Sequence, residues 1–386
     1  MPSADVESDK GMKMAASQGM KQVGYVDCAG GGQIIARNGI AYIGHMRAPH
    51  GTTIVDVRDP KNPVVLSELS MPPGTHSHKV RVCGDIMVIN QEINNNDPNK
   101  PSPEFLGGIC IYDIADPRAP KLLSRWETAG QGVHRFDLDE RYAYLSSTAE
   151  GYLAHIVIIL DLQDPRNPVE VSRWWMPGQW LAGGEKPDWD KTAHRCHHPL
   201  RMGNRLYTSY WQAGFHILGI DDITKPHRIS GLDWSPPFHC PTHTALPIPF
   251  DIRGRRYMLV ADEDVYRPLD GVPAFLWMVD ITDERAPMPV GSFQVEGIED
   301  TPQPLATACH QPCEIVTGTE IPVAWFAHGV RVVDFSNPHS LREVAHFLPE
   351  PPAGASRVQA NDVTVDERGL VYMTDRQRGL TIIERT

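Results

Sequence analysis

The 386 residues are 41% hydrophobic and 22% charged, an ordinary globular composition, and 34 Pro with 32 Gly point to short strands and tight turns rather than long helices. A formal net charge of -12 leaves no basic stripe to neutralise a phosphate backbone or an anionic membrane surface, so neither nucleic acid nor membrane is an expected partner. Apolar runs such as Ile156–Leu160 have strand length, far below the roughly 20 residues of a membrane helix.

Residues 1–20 read as a flexible N-terminal segment, and Met1 to Gln22 shows no charged, apolar, small-residue leader pattern. The seven cysteines (Cys28, Cys83, Cys110, Cys196, Cys240, Cys309, Cys313) are odd in number, so a reducing cytoplasm is the expected location.

From Gly51 onward a unit repeats: GTTIVDVRDPKNPVVLSEL, then GGICIYDIADPRAPKLLSRW from Gly107 and HIVIILDLQDPRNPVEVSRW from His155. It recurs as FHILGIDDITKPHRISGLDW from Phe215, AFLWMVDITDERAPMPVGSF from Ala274 and GVRVVDFSNPHSLREVAHF from Gly329, and stops short as GLTIIERT from Gly379. Each phrase reads as an apolar strand, a turn opened by Asp with Pro fixing φ, and a strand of alternating polarity. A second strand pair precedes each phrase, as in HKVRVCGDIMVIN from His78 and HRFDLDERYAYLSS from His134. Four strands per unit and seven units predict an all-β, seven-bladed β-propeller of four-stranded antiparallel blades over 21–386. The last unit lacks its fourth strand, and the segment from Lys21 is expected to supply it, closing the ring.

The phrases GTTIVDVRDP, GVRVVDFSNP and GGICIYDIADP resemble those of the LVIVD-repeat β-propeller family across nearly the whole chain. The resemblance implies the fold and leaves the chemistry to be argued from the site.

In a propeller the first strand of each blade lines the central channel. Aligned on their second strands, the first strands begin at Gly32, His78, His134, His198, His243, His310 and Asn361 or Asp362, so five successive blades open on histidine. Such a ring would point several imidazole nitrogens at one centre, as a transition-metal site requires. His78, His134, His198, His243 and His310 are therefore the expected metal ligands, and the motifs THSH, HRCHH and HCPTH add imidazoles nearby. The alternative is that the repeat merely inherits a histidine that caps each inner strand. Cys196, Cys240, Cys309 and Cys313 lie near the same strand starts, either as thiolate ligands or as small buried apolar residues.

The opposite strand ends bring Glu92 and Glu263 to the same rim, as general bases or as carboxylates that orient the outer ligand nitrogens, with His50 and His328 where third strands begin. For each, a solvated rim charge is the alternative. Long insertions at 92–106, 176–193, 262–272 and 295–308 are expected to roof the channel, with Trp180, Trp189 and Tyr266 as walls for an apolar or aromatic substrate.

The pattern predicts a metal-dependent oxidoreductase, with an oxygenase as one option, acting on a small organic molecule, with Fe(II) first and Cu, Zn or Mn as further options. The site is similar in geometry to the four-histidine iron of carotenoid-cleavage oxygenases, also seven-bladed propellers, although their sequence motifs are absent. A zinc or manganese hydrolase or lyase and a noncatalytic scaffold are the competing readings. The sequence assigns no oligomeric state.

Overall fold

The computed structural model describes residues 16–94, 97–101, 105–189, 194–235, 237–268, 270–298 and 303–386. Among these, seven antiparallel sheets follow one another around a closed ring, which is the seven-bladed propeller that the repeat predicts. Blade one is Gly31–Arg37, Ile40–His45, His50–Asp56 and Val64–Ser70, and each later blade repeats this up-and-down order. In blade two the inner strand is split into Thr75–His76 and Val80–Cys83.

The turn opened by Asp builds the outer hairpin of blades one to six. Asp56, Asp113, Asp161 and Asp280 end their strands, and each accepts the backbone N–H two residues on, at 2.8–3.0 Å. Asp59, Asp116, Asp164 and Asp283 cap the following turn in the same way, and Pro then holds φ for the return strand.

Neighbouring blades are latched through this turn. Ser67, Ser124 and Ser172, on successive fourth strands, donate to Pro117, Pro165 and Ile223 carbonyls in the turn of the next blade, at 2.6–2.7 Å. At the closure between blades seven and one, glycine replaces the serine: a Cβ on Gly24 would lie 1.9 Å from the Pro60 carbonyl oxygen, so only glycine fits.

The N-terminal chain closes the ring as expected. Met20–Val26 pairs antiparallel with Gly379–Arg385 as the fourth strand of blade seven. Ala16–Gln18 continues outward to pair with Arg342–Leu348 of blade six, so ordered strand begins inside the segment predicted flexible at 1–20. Residues 1–15 of that segment lie outside the described residues. Apolar faces of adjacent sheets interdigitate between blades, as where Ile54 and Tyr42 of blade one pack with Met87, Ile89 and Cys110 of blade two. No described helix is long and apolar enough to cross a membrane.

Candidate metal centre

The first strands do not enter the channel regularly. Strand pairing shifts between Val133 and Arg135, Cys196 and His198, Thr242 and Thr244, and Ala360 and Asp362, leaving one extra residue in each: His134, His197, His243 and Asn361. A bulge bends the strand and re-aims a side chain, and here it turns each extra residue toward the axis.

The sequence register predicts His198 as the fourth-blade ligand, and the structure corrects this by one residue. His197 lines the axial cavity with His78, His134, His243 and His310, while His198 turns beneath it, its Nε2 3.2 Å from Arg81 Nη2 and its Nδ1 3.6 Å from Glu314. The signal was present in the sequence: HKV, HRF, HHP, HTA, HQP and NDV share a ring residue, one polar residue and then a residue packed between blades. Ring centroids run 4.9, 4.8, 4.4 and 4.3 Å from His78 through His134, His197 and His243 to His310, a continuous arc from five blades. His76 adds a sixth imidazole, stacked on His78 at 3.6 Å.

Outer hydrogen bonds fix the tautomers of this arc. His134 Nδ1–H donates to Glu92 Oε2 at 2.7 Å, His197 Nδ1–H to the His243 carbonyl at 2.7 Å, and His310 Nδ1–H to the Asn361 carbonyl. Each Nε2 is thereby left with a bare lone pair. His134 Nε2 and His197 Nε2 face each other at 3.0 Å, and His310 Nε2 faces Glu263 Oε1 at 3.3 Å. Burial holds His197 well below the usual imidazole range and brings His134 and His310 to about 4, so at neutral pH no proton sits between these acceptors. Burial pushes the Glu263 carboxyl up, but His310 and Arg376 outweigh it and hold it at about 2. Acceptors aimed at one another repel unless a cation lies among them. Two nitrogens about 2.0–2.1 Å from one ion stand about 3 Å apart, which is the spacing seen.

Two groups have metal-ligand spacing, their donor atoms lying within 4.8 Å of one another: His197, His243 and Glu263, and His76, His78 and Glu92. Glu263 thus belongs among the donors. Glu92 lies on the outer side of His134, where its carboxylate also meets His76 Nδ1 at 3.4 Å and His155 Nε2 at 3.6 Å. His243 differs from its neighbours, because Arg135 donates to its Nε2 at 3.0 Å while its own Nδ1–H donates to Thr244.

Beneath the arc, the middle residue of each triplet forms a second layer of Lys79, Arg135, His198, Thr244, Gln311 and Asp362, all at most 4% exposed. Glu314 joins it, accepting from Arg135 at 2.9 Å, Gln311 at 3.0 Å and Arg81. Burial pushes the Lys79 amine well down and the Asp362 carboxyl up to about 7.

Enclosed by the arc, a cavity of about 210 Å³ lined by the imidazoles, Lys79, Arg195, Trp211, Glu263 and Arg376 meets an outer cavity of about 810 Å³. Met46, His76 and Arg376 line both. The outer cavity is walled mainly by loops of blades one and seven, including Arg47, His50, Gln359 and Gln377, with Asn94 from the first of the long insertions predicted as a roof. Within those insertions, residues 95–96, 102–104, 190–193, 269 and 299–302 lie outside the described residues. Trp180 packs with Tyr152 and Trp175, and Trp189 stacks on His194 at 4.7 Å, so neither reaches the cavities.

Of the remaining candidates, His50 stands exposed at the mouth, and His328 lines neither cavity. Cys196, Cys240, Cys309 and Cys313 are buried free thiols whose burial pushes them up, so they pack as small apolar residues rather than as thiolates. Sequence reasoning missed Arg195, Arg376 and Lys79, for which only the structure supplies a position.

Two buried histidines away from the arc set a pH dependence. His45 bonds Ala29 O at 3.1 Å and Thr53 Oγ1 at 2.7 Å, and His216 accepts from Arg228 at 3.1 Å. Burial lowers them to about 4 and about 3. The unfolded chain takes up these protons near pH 6.5 and the folded chain does not, so stability is full above 6.5 and falls as pH drops toward 4. Denaturation midpoints measured between pH 7.5 and 4.5 are expected to decline through this window, by about 1.4 kcal/mol per pH unit for each such histidine.

No family model and no curated protein matches the chain. Solved structures match over nearly the whole length: a chain of the "Mitotic Checkpoint Complex" at 10% identity and TM-score 0.57, covering 100% of this chain and 96% of that one. The Cps50 (Swd1) β-propeller domain of Myceliophteria thermophila matches at 12% and 0.58, covering 95% and 100%, and Saccharomyces cerevisiae Sqt1 at 9% and 0.53, covering 93% and 86%. Such identities show the fold alone. Fold and site together define a seven-bladed β-propeller whose axis carries buried histidine and glutamate clusters able to bind a metal ion.

Proposed function

We propose that the protein is a metal-dependent oxidoreductase that acts on a small organic substrate at the histidine arc. The observation that carries this reading is the pair of bare Nε2 atoms of His134 and His197, facing at 3.0 Å with both outer nitrogens already committed. His197, His243 and Glu263, whose donor atoms lie within 4.8 Å of one another, would hold the ion, with the Nε2 atoms of His134 and His310 facing His197 and Glu263 of that group. Imidazoles joined by one carboxylate suit non-haem iron(II), with copper next. The ion would supply oxygen activation and electron transfer.

The chain's own residues supply the rest. Ionised Glu92 keeps the His134 proton on Nδ1 and so keeps Nε2 available. Met46 and Trp211 give the inner cavity apolar walls that exclude water, and Arg376, bonded to Asn361 at 2.6 Å and to Glu263 at 3.2 Å, stands at the passage from the mouth. His76 Nε2, buried and without a hydrogen-bond partner among the described residues, is placed to take or give a proton there.

The same site would serve a zinc or manganese hydrolase or lyase, a reading favoured by Glu263 beside the arc, since a carboxylate there can move a proton for an ion-bound water. Elemental analysis of the purified protein with its electronic and paramagnetic spectra tests both. Stoichiometric iron or copper is the expected result, and zinc or manganese would transfer the site to the second reading. Protein that is isolated metal-free and takes up none of these ions would leave a noncatalytic scaffold.

A further inference from the structure

We infer that the inner cavity recognises a monoanionic carboxylate on its ligand, and that Arg195 binds it. This rests on reading the cavity as a substrate site. Arg195 precedes the first strand of blade four, Cys196–Met202, and lines the inner cavity two residues before His197, which that strand turns to the axis. Its guanidinium lies over the Trp211 indole, 4.6 Å from the ring centroid, and Trp211 in turn packs on the His197 ring at 4.9 Å.

The other arginines of the inner cavity and of the layer beneath it are matched. Arg376 meets Glu263, and Arg81 and Arg135 share Glu314. Arg267, farther out, is buried against Asp264. The Arg195 side chain forms no hydrogen bond and no ion pair among the described residues; its one contact of this kind is the indole face. A guanidinium stays charged at all relevant pH, and confining it in a cavity without an acceptor is costly. Stacking on an indole covers the flat face and leaves the edge donors free, the edge that grips a carboxylate with two parallel N–H bonds.

Charge favours the monoanion. Arg195 has no carboxylate at ion-pair distance among the described residues, while Glu263 in the lining and Glu92 beside it already place two negative charges near the cavity and disfavour a second charge on the ligand. Size agrees: the inner cavity of about 210 Å³ takes a carboxylate and its adjoining atoms, and the outer cavity of about 810 Å³ takes the remainder. A ligand held at Arg195 lies one indole away from the imidazole arc.

The test uses benzoate, its neutral isostere benzamide, and phenyl phosphate, titrated calorimetrically into the full chain both metal-free and metal-loaded. Benzoate is expected to bind better than either competitor, and Arg195→Met to weaken benzoate by roughly 10- to 100-fold while leaving benzamide unchanged. Arg195→Lys, which keeps the charge without the fork, is expected to fall between, and the wild-type comparison of the three probes stands even if a variant fails to fold. Equal binding of benzoate and benzamide, preference for phenyl phosphate, no binding, or an Arg195→Met variant with wild-type benzoate affinity would each overturn the inference. Protein that takes up metal yet shows no benzoate preference defeats this proposal alone, whereas benzoate preference in protein that takes up no metal defeats the metal reading alone.

Discussion

Replacing His197 with alanine is expected to strip the protein of its metal, whereas replacing its neighbour His198 with glutamine leaves the metal in place. The two residues are adjacent in sequence and both fully enclosed, yet the bulge between Cys196 and His198 sends them to different layers. His197 offers a bare Nε2 to the centre because its Nδ1 proton is held by the His243 carbonyl. His198 Nε2 is taken by Arg81, below the arc. Metal content and affinity, measured by elemental analysis and competition with a chelator, are expected to fall at least ~100-fold in His197→Ala. That exceeds the loss of about 10- to 100-fold typical when an outer partner of a ligand is removed, which is the effect expected of Glu92→Gln. His198→Gln is expected to cost roughly 1–3 kcal/mol of stability through its broken hydrogen bond, with metal content unchanged. Metal retained in His197→Ala and lost in His198→Gln would return the site to the register that the sequence alone suggests.

A chain shortened to begin at Asp27 is expected to lose the ring. It gives up Met20–Val26, the strand that completes blade seven, and Ala16–Gln18, the outer strand of blade six. It also gives up the seat of Gly24 against Pro60, where the last blade abuts the first. Some half-dozen ladder hydrogen bonds at about 1 kcal/mol each go with it, and Ile382 and Ile383, buried in the intact ring, face an unpaired edge. The melting temperature is expected to fall by ~10 °C or more, with concentration-dependent aggregation at the bared strand. Lys21→Ala is the control: its ion pair with Glu384 spans 3.0 Å between side chains more than 45% exposed, and its loss should stay within about 1 kcal/mol. Equal melting temperatures for the shortened and intact chains would mean that the ring closes without its N-terminal strand.

The fold was legible because the turn opened by Asp does the same physical work in the first six repeats: a carboxylate capping backbone N–H groups and a ring fixing φ leave a local mark that recurs along the chain. Closure by the N-terminus followed from counting strands. The arc was legible to within one residue, since His78, His134, His243 and His310 stand alone at their strand starts, but HRCHHPL offers two candidates and a bulge decides between them. A bulge is set by strand pairing across the blade, which periodicity along one strand does not reveal. Glu92 and Glu263 were readable as rim carboxylates; that one lies behind a ligand and the other beside it depends on loop paths around the axis. The predicted roof was legible only in part. Insertion length is visible in sequence, but which side of the rim a loop falls toward is not: Asn94 of the first insertion reaches the mouth, whose other walls are Met46–His50, Gln359, Arg376 and Gln377.

The polar layer of Lys79, Arg135, His198, Thr244, Gln311 and Asp362 is buried, whereas Met46, His76 and Arg376 line both the inner and the outer cavity. A molecule that moves between the two cavities therefore meets those three side chains, so an incoming ligand and an outgoing one compete for the same contacts.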